Sequence, residues 1–232
     1  MTLRRKAAVL ACLLLAAAGL VWRGRRPPAV TREEQHPTAP ASPLAMPAPA
    51  TPPPPPRPAE ARDALARVFG GTVSSAPADP AFLAADFNGD GSQDIAVVVT
   101  PAGNRLREIN DNLANWIVED VRTSPPTDLE SRGEPARVEA GDALLAVLHG
   151  HGPAGWRSPD ARQAYLLRNA VGVGMARLRM DEAPAGGGRT PKLLGDVLAE
   201  KLDGRPGFVY WTGARYAYWR LPARASRLSP TP

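Results

Sequence analysis

Cysteine is almost missing from this chain. The one example, Cys12, lies in an apolar N-terminal segment, so the remainder has no disulfide framework, no thiol nucleophile and no thiolate metal ligand. Redox and cysteine-protease chemistry are excluded on that count. Excess positive charge is missing from the foldable part as well. The formal charge of +5 is carried by residues 1–58, with eight basic and two acidic residues (+6), against 20 basic and 21 acidic residues (−1) beyond them. Without a basic footprint, binding to a phosphate backbone loses its main driving term, and nucleic acid is not an expected partner. Repeats are absent too: no period of 20 to 50 residues recurs, which leaves solenoids and propellers unsupported.

What is present divides the chain by composition. Met1 to Lys6 is basic, Ala7 to Trp22 is an uninterrupted apolar run, and Arg23, Arg25 and Arg26 follow. This pattern reads as an export signal or membrane anchor over residues 1–26. The run of 16 residues spans about 24 Å as a helix, near the lower limit for a transmembrane helix. A retained anchor, a signal peptide cleaved at Ala16-Ala17-Ala18 and lipid attachment at Cys12 are all compatible with it, and each puts the rest of the chain outside the cytoplasm; the basic clusters on both sides of the run leave a cytoplasm-facing anchor as the alternative. Residues 27–58 hold 13 of the 27 prolines, which forbid helix and ladder and make a disordered, stiff stalk. Such a spacer makes most sense tethered at its front end, so membrane contact is expected through the N-terminal segment, at the periplasmic or cell-surface side of the envelope. Residues 59–225 are expected to form one domain, with a disordered tail at 226–232.

Within that domain Ala59 to Phe69 reads as an amphipathic helix with Gly70-Gly71 as its stop. Phe82 to Asp86 and Ile95 to Thr100 read as strands. Leu106, Ile109, Leu113, Trp116 and Ile117 recur at helical spacing and predict a main helix that Pro125-Pro126 closes. Ala143 to Leu148, Ala164 to Leu167, Met175 to Met180 and Val197 to Lys201 are strand candidates. The expected fold class is α+β, a mainly antiparallel sheet with two helices. Six of the 13 aromatic residues crowd into Phe208 to Trp219, a hairpin about Thr212-Gly213. A two-residue turn there sets Val209, Trp211, Tyr216 and Tyr218 on one face and Phe208, Tyr210, Arg215 and Trp219 on the other. One face is expected in the core, and the other offers a platform for a glycan or an envelope protein.

The strongest motif is Asp86-Phe87-Asn88-Gly89-Asp90-Gly91-Ser92-Gln93-Asp94, which runs straight into Ile95-Ala96-Val97-Val98-Val99. Asp86, Asn88, Asp90 and Asp94 occupy positions 1, 3, 5 and 9, Gly91 is at position 6, and Ser92 at position 7 supplies a carbonyl. Hard Ca²⁺ takes six to eight oxygens, and this spacing wraps oxygens around one point. Position 12 is Val97 rather than the glutamate of an EF-hand. The stretch resembles the D-x-[DN]-x-D-G-x-x-D calcium loop of FG-GAP and VCBS-type repeats, found between strands in integrin α-chain propellers and many bacterial surface proteins. The resemblance covers Phe82 to Val99 and implies a structural, not catalytic, calcium ion held by Asp86, Asn88, Asp90, Ser92 and Asp94.

Two further constellations are weaker. His149 and His151 are two apart in a glycine-rich turn, a spacing that zinc sites use when an acid such as Glu139, Asp142 or Asp160 completes them. No H-E-x-x-H pair and no G-x-S-x-G elbow accompanies them. Gly172-Val173-Gly174 has Arg177 where a dinucleotide fingerprint needs its third glycine. The expected function is a membrane-tethered envelope protein acting as a binding or scaffolding module around a calcium loop, not an enzyme. The alternative is an envelope-polymer hydrolase working through His149 and His151.

Overall fold

The computed structural model describes residues 54–77, 81–123, 136–184 and 190–222. The N-terminal apolar run, most of the proline-rich stretch and the C-terminal tail lie outside them. Among the described residues no helix is long and apolar enough to cross a membrane.

Helix α1 (Pro58–Phe69) opens with proline at its first position, where a missing N–H costs nothing. Glu60 accepts the Arg57 N–H at 3.1 Å, and Gly70 closes the helix in the left-handed region at φ 56°. Strands β1 (Val73–Ser75), β2 (Phe82–Ala85), β3 (Asp94–Pro101), β4 (Ile117–Asp120), β5 (Leu144–Leu148) and β6 (Ala164–Arg168) form one sheet in the order β1-β3-β5-β6-β4, with β2 also paired to β3. All its pairs are antiparallel except β4 with β6. Strands β7 (Val173–Leu178), β8 (Val197–Leu202), β9 (Arg205–Trp211) and β10 (Tyr216–Arg220) make a second, wholly antiparallel sheet in the order β10-β9-β8-β7. The fold is therefore mixed, mostly sheet with short helices.

The near-continuous apolar runs of β3 and β5 follow from burial on both faces. Ile95, Val97, Val99, Leu144, Ala146 and Leu148 pack with Ala61, Ala64, Leu65 and Phe69 of α1. Their neighbours Ala96, Val98, Leu145 and Val147 meet Leu198, Leu202, Val209, Trp211 and Tyr216 of the second sheet. The two sheets are also joined through their borders. The amides of Tyr216 and Tyr218 on β10 donate to the Glu119 carboxylate (2.8 Å) and the Val121 carbonyl (3.1 Å), beside β4.

The expected main helix is not formed. After a short 3₁₀ turn (Gly103–Arg105), helix α2 covers only Leu106–Ile109, and Ile117–Asp120 is a strand. The cause is the polar triplet Asn110-Asp111-Asn112. The Asn110 side-chain amide donates to the Leu106 and Val138 carbonyls, both at 2.9 Å, and its Oδ1 accepts the Val138 N–H at 2.7 Å. Asp111 Oδ1 accepts the Leu113 N–H at 2.9 Å, an Asx turn that competes with the helix. Trp116 packs on Phe69 with ring centroids 5.4 Å apart, while Leu113 is left 90% exposed.

The hairpin faces fall as expected, although the register Trp211↔Tyr216 makes the connection four residues long, Thr212 to Arg215. Val209, Trp211 and Tyr216 enter the inter-sheet core. Phe208 and Tyr210 are buried as well, in a small cluster with Val197 and Ala217, against which Trp219 packs, so the second face is not an open aromatic platform.

Phe69 joins the helix to the sheet and to Trp116. Phe69→Ala is expected to lower unfolding free energy by about 3–5 kcal/mol, read by urea denaturation. A loss below about 1 kcal/mol would mean that α1 does not cover the sheet as described.

Candidate metal loop and its buried surroundings

The acidic stretch connects β2 to β3 and folds as a closed turn around its own amides. Asp86 Oδ1 accepts the N–H groups of Gly89 (2.7 Å) and Asp90 (3.2 Å), and Oδ2 accepts that of Gly91 (2.9 Å). Asn88 Oδ1 accepts the Asp90 N–H (3.1 Å), its side-chain amide donates to Asp90 Oδ2 (2.9 Å), and Asp90 Oδ1 accepts the Ser92 N–H (2.7 Å). Gly89 and Gly91 sit at φ 77° and 84°, where an L side chain is strained, and a Cβ on Gly89 would strike the Leu194 carbonyl. Asp90 and Gly91 are exposed.

Asp94 plays a different part. Its carboxylate is 0% exposed and points inward, accepting the N–H groups of Phe87 (2.8 Å), Asn88 (3.3 Å) and Gly150 (2.7 Å). Burial pushes its pKa up to about 7, the amides of Gly150 and Phe87 work against that, and the charges of Asp86 and Asp90 add to it. Asp94 thus ties the acidic loop to the His149-Gly150-His151 turn. A second tie comes from the far side, where the Asp196 N–H donates to the Asp86 carbonyl at 2.8 Å.

Among the described residues no three His, Cys, Asp or Glu side chains stand in a metal-holding cluster. The donor chemistry nevertheless suits a hard cation. Asp86, Asn88 and Asp90 bring side-chain oxygen and Ser92 a main-chain carbonyl, and a carboxylate oxygen that takes one amide retains a second lone pair. No arginine or lysine among the described residues forms an ion pair with Asp86, Asp90 or Asp94. Three acidic side chains therefore share nine residues with only backbone dipoles and the Asn88 side-chain amide to balance them.

The structure separates the two histidines. His149 is 2% exposed and lies among Tyr165, Trp211 and Tyr216, with ring centroids 5.1 to 5.8 Å away. Its Nε2 is 2.7 Å from the Tyr216 hydroxyl, while Nδ1 is buried without a hydrogen-bond partner. Burial pushes its pKa down to about 4, opposed by the neighbouring Gln163 side chain and the Asp90 charge, and burial pushes the Tyr216 hydroxyl well above its ordinary range. The pair is neutral at pH 7. His151, two residues on, is exposed. Among the described residues neither imidazole stands in a cluster of three His, Cys, Asp or Glu side chains, the arrangement on which the hydrolase alternative would draw.

Sequence reasoning passed over Glu119 and Glu200. Glu119 accepts the Tyr216 N–H, and Glu200, 4% exposed, accepts the Gly172 N–H at 2.7 Å while its Oε1 is buried without a partner. Burial raises both to about 7, opposed by those amides. A glutamate at a strand position otherwise lined with apolar residues was the available signal for Glu200. For Glu119 the helix assignment hid it.

No family model, curated protein or solved structure matches this chain. The reading of the site therefore rests on its own geometry.

Two outcomes are expected. Because Glu200 has a raised folded-state pKa, its charge destabilises the fold above pH 7, and stability recovers as pH falls toward 4.5. Glu200→Gln should gain on the order of 1–3 kcal/mol at pH 8 and little at pH 4.5, read by urea unfolding across that range. An equal change at both pH values would show that the carboxylate is not held neutral. Gly150→Ala would drive its Cβ into the Gln93 carbonyl and the Gly155 backbone, so a melting temperature several degrees lower is expected, from about 1–3 kcal/mol of overpacking. An unchanged melt would place the turn farther from the acidic loop.

Proposed function

We propose that the chain is an exported, membrane-tethered envelope protein whose globular part acts as a binding or scaffolding module and whose Asp86–Asp94 loop takes up Ca²⁺. The observation that carries the calcium assignment is the set of three aspartates in nine residues without a cationic partner, on a turn tied to both sheets. Asp86, Asn88 and Asp90 would hold the ion with Ser92. Asp94, the fifth member of the expected set, contributes by fixing the turn to Gly150 and adds its charge to the site. Bound calcium supplies the positive charge that the loop lacks, and the like-charge effect of Asp86 and Asp90 on Asp94 would be relieved.

The ion has a structural task in this reading. The loop joins the central strand β3, the His149 turn and the approach to β8, so stiffening it stabilises the junction of the two sheets. The resemblance to FG-GAP and VCBS-type loops supports the same role, and the basic and apolar N-terminus followed by a proline-rich stalk supports the envelope address. A partner, whether an envelope protein or a glycan, would be met on the outer surface, because the aromatic faces of the terminal hairpin are packed inside.

Calcium affinity in the range of extracellular modules, about 10⁻⁴ to 10⁻³ M, is expected. A tenfold excess over Kd stabilises by about 1.4 kcal/mol, a rise of a few degrees in melting temperature. Calorimetry and thermal melts of the full chain should show this rise with millimolar Ca²⁺, reversed by chelator and lost in Asp90→Ala. No heat and no shift at millimolar Ca²⁺ in the wild-type chain would refute the calcium assignment.

A further inference from the structure

Away from the acidic loop, an open groove of about 420 Å³ is lined by Arg67, Val68, Asn115, Pro159, Ala161 and Arg162. Among the described residues its polar lining is arginine and amide, and none of the lining residues is acidic. Arg67, in the last turn of α1, is held by main-chain carbonyls: Nη2 donates to Trp156 at 2.8 Å and Nη1 to Arg157 at 3.4 Å. Those contacts fix the direction of the guanidinium but leave its charge unmatched, and burial acts on its pKa with no acid opposing it. Arg162 is exposed, and among the described residues its side chain and that of Asn115 enter no hydrogen bond or ion pair.

We propose that this groove is a binding site for a small oxyanion, the carboxylate or phosphate group of a low-molecular-weight ligand, clamped by Arg67 and Arg162 with the Asn115 amide as a third donor. A guanidinium presents a rigid planar fork that matches such oxygens two at a time. Arg67 is already oriented by its two carbonyls, so less side-chain freedom is lost on binding than at a mobile surface arginine. Val68, Pro159 and Ala161 give the rest of the ligand an apolar wall. The site is separate from the calcium loop, and the inference holds whether or not that loop takes up a metal.

The test uses the full chain and two probes, inorganic phosphate and malonate, in calorimetric titrations at low ionic strength. Saturable binding of at least one is expected. Arg162→Ala should weaken it by at least about tenfold, as loss of a charge-assisted hydrogen bond implies. Arg107→Ala, which removes the same charge from an exposed position on α2 outside the groove, should leave it unchanged. Because Arg162 has no partner among the described residues, its variant should melt like the wild-type chain. Binding of phosphate alone or of malonate alone identifies the source of the oxyanion. Absence of saturable binding for both probes, an unaltered affinity in Arg162→Ala, or equal weakening in the two variants would overturn the site.

Discussion

A carboxylate fully removed from water at the head of a central strand is costly unless donors meet it, and the Asp94 side chain is met by three backbone amides. Two come from the acidic loop itself and one from Gly150, 56 residues along the chain. This single group therefore sets the path of the β2–β3 connection and the position of the turn after β5. The turn in turn places His149 against Tyr216, so the second sheet is registered on the first through a polar contact inside an aromatic cluster. Apolar packing gives the two layers their cohesion, but it is tolerant of sliding. Hydrogen bonds between buried groups are not, and they specify one arrangement.

The buried polar groups pull stability in opposite directions with pH. Glu119 and Glu200 are more easily buried when protonated, and they favour the fold as pH falls from about 7 toward 4.5. His149 has a folded-state pKa below its ordinary value, so the unfolded chain binds the proton first, and stability is lost as pH falls from about 6.5 toward 4. The carboxylates and the imidazole thus compensate one another over much of the acidic range. Such offsetting groups flatten the response of stability to pH.

Much of the strand content could be read directly from the chain, because β3 from Ile95 to Val99 and all of β5 are apolar and the final hairpin alternates around a turn. The two hairpin faces were assigned correctly even though the turn is twice the expected length, since adding two residues preserves the alternation. The helix over Leu106 to Ile117 was misread because hydrophobic spacing was weighed without Asn110, whose side chain is satisfied by Val138, a partner remote in sequence. The same limitation hid the surroundings of His149. Tyr165, Trp211 and Tyr216 come from three strands, and only the assembled sheets bring them within 6 Å of one ring. The acidic loop was the most legible feature because most of its contacts are local, the remote ones being those of Gly150, Trp156, Arg157 and Asp196.

The bonds from the Tyr216 and Tyr218 amides to Glu119 and Val121 have a consequence for how the molecule behaves in company. Strand β10 ends one sheet, and an unpaired border of this kind is a template on which a second chain can add a strand. Here two of its outward amides are already occupied by the neighbouring layer. Copies that meet at high concentration would find that border closed, and edge-to-edge aggregation would have to begin by breaking contacts that hold the two sheets together.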